Sequence, residues 1–529
     1  MKRLIAGLLA LGLLLSGCAS DPEDHVPTGD GLTWEDGESR PVIETTAPDA
    51  PEQELTLVYY PDRSLNPLES KDYTNRTLFS LLYQGLFSVN RNYEAEPQLC
   101  ETYAVSEDMR THVFTLRDAA FSDGTALTVN DVVKTLNAAR ESTYYGGRFT
   151  HITAISATHQ GSVMITTDTA FENLPILLDI PILKATEVDA PRPLGTGPYF
   201  LDSTTGGLRL RKCINWWSDA ELVITATSIP LVEAESEAQI RDNFEFADVG
   251  LVCANPCSDS YADYRCDYEL WDCENGVFLY LACNMYSEVF KNENIRAALT
   301  YAIDRDKLVA EHYRSFARSA TLPASPQSPY YDKGLAARYQ YDGVRFAQAV
   351  TENLLSGTTI RLLVNSEDSL RCRVAKSIAK MLSDGGLNVE VIEKKGNAYL
   401  YVLNVTREFD LHLCQTKLSP NMDLSPFFYT YGSLSQAALN DAAIYALCLE
   451  SLANSGNYYN LHQKVMEDGR LVPILFQSYA VYATRGLLTG LTPARDDVFY
   501  YSGQDTLEDI LVEMGDVSAI PEETIPEEE

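Results

Sequence analysis

Basic residues are scarce in this 529-residue chain. Its 41 lysines and arginines face 75 aspartates and glutamates, a formal net charge of −34. A polyanion such as nucleic acid is gripped by clustered Lys and Arg, so that class of partner is excluded, as is polybasic adhesion to anionic lipid. After the first fifteen residues no apolar run reaches the eighteen or more that a membrane-spanning helix needs. Histidine numbers only seven, none in an H-E-x-x-H pair, and no Cys-x-x-Cys occurs. The phosphate loop G-x-x-x-x-G-K-[ST] and the nucleophile elbow G-x-S-x-G are also missing. Gly195-Thr196-Gly197 begins like a dinucleotide loop, but Pro198 follows and Phe200 stands where a third glycine belongs. Nothing here asks for catalysis, so no enzyme, catalytic residue, metal site or cofactor is expected.

What is present begins with Met1-Lys2-Arg3 and a twelve-residue apolar stretch from Leu4 to Leu15, too short to span a bilayer. Ser16 and Gly17 then precede Cys18, the arrangement of a bacterial lipoprotein signal. The expectation is a signal peptide over 1–17, lipidation of Cys18, and a mature chain held on the extracytoplasmic face of the cell membrane. Several acyl chains on one residue anchor stably where one alone binds marginally. Residues 18–53, rich in Asp, Glu, Pro, Gly and Thr without hydrophobic period, read as a disordered tether with a reach of about 30 Å. At the other end, five glutamates among Glu522–Glu529 mark an acidic tail over 516–529.

Between them the pattern is mixed α and β. Leu55, Leu57 and Tyr59 alternate as in a strand, and Asn75 is placed to cap a helix bearing Leu78, Leu81 and Leu82. Thr111–Leu116 reads as a strand, Ser122-Asp123-Gly124-Thr125 as a turn, and Thr128 with Asp131 as a capping box opening a helix to Ala139. Ile295, Ala298, Leu299, Ala302 and Ile303 form an apolar helical stripe, and Asp304 caps the next helix. Ile360, Leu362 and Val364 share a strand face; a helix with Leu370, Val374, Ile378, Met381 and Leu382 follows, closed by Gly385-Gly386, and a second strand runs 387–392. That is a βαβ unit with a parallel pair. His151 and His159 lie on a polar stretch and read as surface residues. Apart from Cys18 there are ten cysteines, five of them between Cys253 and Cys283; disulfides and buried thiols both remain open, and a metal cluster is disfavoured because no Cys-x-x-Cys pair and no histidine falls among the five.

Several segments together point to a family. They are Asn66-Pro67-Leu68, Leu82-Tyr83-Gln84-Gly85-Leu86-Phe87, Phe114-Thr115-Leu116-Arg117 and Phe121-Ser122-Asp123-Gly124-Thr125, followed by Gly195-Thr196-Gly197-Pro198-Tyr199 and Asn215-Trp216-Trp217. Asn294-Ile295-Arg296-Ala297-Ala298-Leu299 and Ala302-Ile303-Asp304-Arg305 complete the set. In this order and spacing the chain resembles the bacterial extracellular solute-binding proteins of family 5, the oligopeptide-, dipeptide- and nickel-binding proteins of ABC importers. The resemblance implies an α/β, periplasmic-binding-protein-like fold of two lobes with a ligand cleft. Lobe I would hold 54–275 and 470–515 with an extra subdomain over about 83–165, and lobe II 276–469. It also implies a small solute, by default a short peptide, and docking on an ABC permease and ATPase complex.

Oligopeptide binders of the family carry an aspartate for the peptide ammonium after a strand resembling Phe409-Asp410-Leu411-His412-Leu413-Cys414. Here Gln415-Thr416-Lys417-Leu418-Ser419 follows, so Ser419 stands where the acid is expected and Lys417 offers a cation suited to a carboxylate. Asp423 is a candidate replacement for the acid. Thr416 and the tyrosines Tyr59, Tyr60, Tyr429 and Tyr431 complete the candidate cleft, since tyrosine offers apolar area with a polar tip. So few histidines weigh against nickel capture. The departure at 415–419 also admits a second reading, a diverged surface sensor or scaffold that no longer transports.

Overall fold

The computed structural model describes residues 55–484 except 91, 205–206, 219–225 and 259–260. The Cys18 site, the 18–53 tether, the 516–529 tail and the 485–515 part of lobe I lie outside the described residues. Three larger sheets carry the chain. The first takes its strands in the order Leu57–Tyr59, Ser228–Glu233, Gly207–Lys212 and Tyr199–Thr204. Leu57–Tyr59 runs parallel to Ser228–Glu233 and is buried on both faces, Val58 and Tyr60 as well as Leu57 and Tyr59. The alternation read from Leu55, Leu57 and Tyr59 therefore marks one face of a strand that has no solvent side.

A second, antiparallel sheet is built from Cys100–Val105, Thr111–Leu116, Val163–Thr167 and Ile152–Ala157. Against it lies the helix Val129–Ala139, opened by the Thr128/Asp131 capping box that the sequence announces. The third sheet has seven strands. Its spine is two long ones, Tyr268–Cys283 and Leu471–Thr484, paired antiparallel along most of their length. Leu251–Ala254 flanks them on one side; Leu411–Lys417, Thr359–Asn365 and Asn388–Lys394 follow on the other. Thr359–Asn365 and Asn388–Lys394 are parallel and joined by the helix Ser369–Asp384, the expected βαβ unit. The stripe from Ile295 lies on Glu293–Ala302, and Asp304 caps Arg305–His312 through the Lys307 amide.

The long strands are not regular. Between Glu274 and Phe278 the pairing slips against Ser478 and Phe476, and Gly276 takes φ +67°. An irregularity with a left-handed glycine re-aims a strand locally, so the halves of these strands point into different parts of the molecule. One core cluster wraps the far halves, from Leu279 and Leu281 to Leu411 and Leu475. A larger one joins Leu81, Phe121 and Leu183 to Leu424, Phe427, Phe428 and Leu461, and so runs through segments expected in both lobes.

One local expectation is corrected. Asn75 is not a cap: Asp72 caps a short helix Tyr73–Thr77, while the Asn75 amide group accepts from Tyr60 N and donates to Tyr60 O. A buried side chain that satisfies a neighbouring strand is worth more there than at a helix end. The helix then restarts at Phe79–Leu82. None of the ten described cysteines is bonded to another, and no group of His, Cys, Asp or Glu among the described residues is arranged to hold a metal.

The glycines of Gly195-Thr196-Gly197 serve packing. A Cβ on Gly197 would sit 2.4 Å from Leu81 O and 2.5 Å from the Leu82 carbonyl carbon, while Gly197 N donates to Leu82 O. Backbone cannot yield as a side chain tip can, so Gly197→Ala should cost about 3 kcal/mol. Gly147→Ala, where a Cβ meets nothing within 4 Å, should be nearly neutral. Chemical denaturation of the two variants checks this; equal losses would sink the packing explanation.

Candidate functional site

Lys417 ends the strand Leu411–Lys417 opposite Val277, beside the irregular stretch of the long strand, and Leu418 N donates to Gly276 O. Its Nζ is out of reach of solvent, although its stem keeps some surface. The amine lies 3.4 Å from the centre of the Tyr144 ring. The Arg76 guanidinium also lies 3.4 Å from that centre. Tyr144 thus carries two cations, one from the short helix Tyr73–Thr77 and one from a strand more than three hundred residues later. Arg76 donates to Pro67 O at 3.0 Å, to Ser70 O at 2.9 Å and to Tyr145 Oη at 2.6 Å, all neutral acceptors. Arg148, close by, is ion-paired with Asp179. Burial first, and then the charges of Arg76 and Arg148, push the Lys417 amine well below its ordinary pKa.

Tyr73, three residues before Arg76 on the same short helix, lines a pocket of about 680 Å³, counting the space open to solvent. Tyr60, Tyr261, Tyr264 and Tyr479 also line it, with Arg63 and Asp72 ion-paired at its edge. The Tyr73 and Tyr479 rings meet edge to face at 3.9 Å. Aromatic walls with a few charged groups suit a solute that is partly apolar.

The structure separates the remaining candidates. Tyr59 points away from the pocket into the core and donates to Glu233 at 2.7 Å. Thr416 is half-buried opposite Phe278, one residue before the amine. Ser419 gives its carbonyl to Met422 N in a turn. Tyr429 is 43 % exposed and Tyr431 is exposed as well, with Tyr429 packed on Tyr445. Asp423 accepts from the Ser425 amide and hydroxyl, both at 2.8 Å.

His151, read as a surface residue, is instead only 4 % exposed. Its Nδ1 donates to Asp168 at 2.9 Å and its Nε2 lies 2.7 Å from Ser425 Oγ, 274 residues away, with Asp423 at 3.6 Å. Burial would lower this imidazole, but Asp423 and Asp168 more than reverse that, and its pKa is raised. The outline is that of an Asp–His–Ser triad, yet Ser425 already donates its proton to Asp423. The imidazole therefore presents an N–H to the serine and no lone pair to act as base. It ties the four-stranded sheet to the Leu424–Phe428 segment. Arg76, Tyr73, Tyr144, Tyr479 and His151 were missed from sequence; the Tyr144-Tyr145 pair was the one local signal available.

A seven-stranded mixed sheet carried on two long continuous strands, two four-stranded sheets beside it in the chain, and an aromatic pocket and a charged cluster near those strands make up a periplasmic-binding-protein-like fold. The chain belongs to the bacterial extracellular solute-binding proteins, family 5, whose "family 5 Middle" profile matches residues 94–438. It is 24% identical over 356 residues to the glutathione-binding protein GsiB of Shigella boydii, spanning 62% of this chain and 67% of that one. In fold it is similar to the ABC transporter substrate-binding protein CtaP of Listeria monocytogenes, with TM-score 0.67, 16% identity, and 85% and 97% of the two chains covered. The oligopeptide-binding protein AppA of Bacillus subtilis, solved with a nonapeptide, gives TM-score 0.58, 17% identity, and 87% and 98% covered. Membership makes this chain an extracytoplasmic solute-binding protein of ABC import, with a small solute and permease and ATPase components as partners. Family and fold are those of non-catalytic binding proteins.

Proposed function

We propose that this chain is a lipid-anchored receptor that captures short peptides between its lobes and delivers them to a membrane permease. The observation that carries the reading is convergence at one place. Lys417 arrives on the late strand, Arg76 and Tyr144 from the early part of the chain, and Tyr73, on the helix that carries Arg76, lines the tyrosine pocket. The slip between Glu274 and Phe278 is the natural hinge, since both long strands continue through it. Lobe I over 54–275 and 470–515 and lobe II over 276–469 would part there, admit a solute and close on it. A relative that binds glutathione, itself a tripeptide, and a structural neighbour holding a nonapeptide support a peptide. Lipid on Cys18 and a flexible 18–53 segment would keep such a receptor near its permease while letting it reach.

A second reading is the sensor or scaffold that no longer transports. It is favoured by the packing of Lys417 directly on Tyr144 and by Leu424, Phe427 and Phe428 sharing a core with Leu81 and Phe121. Native mass spectrometry of gently purified protein separates the two. A receptor should carry a heterogeneous excess of a few hundred daltons that is lost on unfolding. A bare mass, with no thermal shift across a peptide library, would favour the scaffold. Micromolar binding is worth about 8 kcal/mol, so saturating ligand should register plainly.

A further inference from the structure

We infer that the pocket lined by Tyr60, Tyr73, Tyr261, Tyr264 and Tyr479 takes an uncharged aromatic group of the solute, so that the preferred cargo is a peptide bearing Phe, Tyr or Trp. This rests on the receptor reading above and names the class of solute within it.

The five rings line one cavity, together with Ile240 and Cys253. Their neighbours hold them in place. Tyr73 meets Tyr479 edge to face, Tyr264 packs on Tyr482 at 4.1 Å and on Phe244 at 5.4 Å, and the Tyr261 hydroxyl is hydrogen-bonded to that of Tyr482. Walls fixed in this way need little further ordering when a guest arrives. Tyrosine rings offer both electron-rich faces and electron-poor edges. Another aromatic ring gains from both by offset or edge-to-face contact, whereas an aliphatic group gains only the burial of its surface.

Charge points the same way. Four charged side chains line the cavity, and each is already met by the protein. Arg63 pairs with Asp72, Arg241 with its neighbour Asp242 at 2.9 Å, and Glu237 accepts from the Ser258 hydroxyl at 3.1 Å. Guanidinium groups also cover two of the rings: Arg63 lies 3.5 Å from the centre of Tyr60, and Arg314 lies 4.6 Å from that of Tyr261. A cationic guest would find those faces taken and arginines beside it. An anionic guest would compete with Asp72 and Glu237 for the same arginines. Either would lose water without gaining a free partner, a cost that an uncharged ring does not meet. Arg314 belongs to the 276–469 segment, while every lining residue falls in 54–275 or 470–515. One wall of the pocket therefore touches the lobe proposed to close over the solute.

The test uses the full chain and four tripeptide libraries alike in every residue but one. That residue is Phe, Tyr or Trp in the first, Leu in the second, Lys in the third and Glu in the fourth. Native mass spectrometry should show the aromatic library retained about tenfold or more over each of the others. Hydrogen exchange should show residues 251–264 protected by a retained aromatic peptide. Ala262→Trp, at an exposed position of the pocket lining, adds a ring of the protein's own there and should abolish the preference. Val344→Trp, 80 % exposed on the helix Gly343–Glu352 and outside the lining, should keep it. If Ala262→Trp fails to fold, the libraries and the exchange pattern of the unaltered chain still decide. Retention of any other library within tenfold of the aromatic one would overturn the inference alone, as would a preference that survives Ala262→Trp. Silence from all four would overturn the receptor reading and the inference with it.

Discussion

Replacing Glu274 with glutamine should make the protein more stable at pH 8 by about 3 kcal/mol and leave it unchanged near pH 4. Glu274 is 2 % exposed, at the slip in the long strand, where it accepts from Tyr93 Oη at 3.2 Å and from Ser325 Oγ at 2.7 Å. Burial raises its pKa, against the lowering effects of Ser325, Arg318 and Tyr93, to about 7. A carboxyl more easily protonated in the native state than in the unfolded chain stabilises fully below its unfolded pKa of about 4.5. That contribution is lost as pH rises through about 7. Glutamine reproduces the neutral form at every pH and should flatten the dependence between pH 5 and 8. Urea unfolding at the two pH values checks this. A variant that is less stable at pH 8, or equally shifted at both, would remove Glu274 as the source.

Asp468→Ala should act in the opposite direction and more strongly, with a loss of about 3–5 kcal/mol. Asp468 is buried between two arginines that are themselves buried. Arg470 reaches it at 2.5 and 3.0 Å, and Arg296 at 3.3 Å. Arg470 keeps Asp441 at 2.9 Å when Asp468 is lost, but Arg296 keeps only carbonyl oxygens. Burial raises the Asp468 pKa, and Arg470 and Arg296 together outweigh it, so the net shift is downward. The native protein should therefore hold this contribution above about pH 4 and lose it as pH falls further. Thermal unfolding at pH 7 is the measurement, and a loss under about 1 kcal/mol would show that the cluster adds nothing net.

Features written into one short stretch were legible. The capping box at Thr128, the stripe from Ile295, the Asp304 cap and the βαβ unit from Thr359 to Lys394 each depend on residues a few positions apart. The long strands were not read, because Tyr268–Cys283 and Leu471–Thr484 are buried along much of both faces and show no alternation. At the site, Lys417 stood out because an acid was missing near it. Arg76 and Tyr144 carry no local mark; tertiary packing alone brings them to the amine. The same holds for His151, whose polar neighbours suggested solvent while its hydroxyl partner lies 274 residues on. Tyr429 and Tyr431 fit by composition, and both are exposed.

Leu424, Phe427 and Phe428 are buried in the same core as Leu81 and Phe121, so if the proposed lobes part, their separation would strip apolar surface bare to water. The vacant protein should then spend most of its time shut, and an incoming guest would wait for a rare gape. Capture would be gated by the protein's own breathing, saturating with solute concentration, and the measured affinity would be diluted by the small fraction of molecules ajar at any moment.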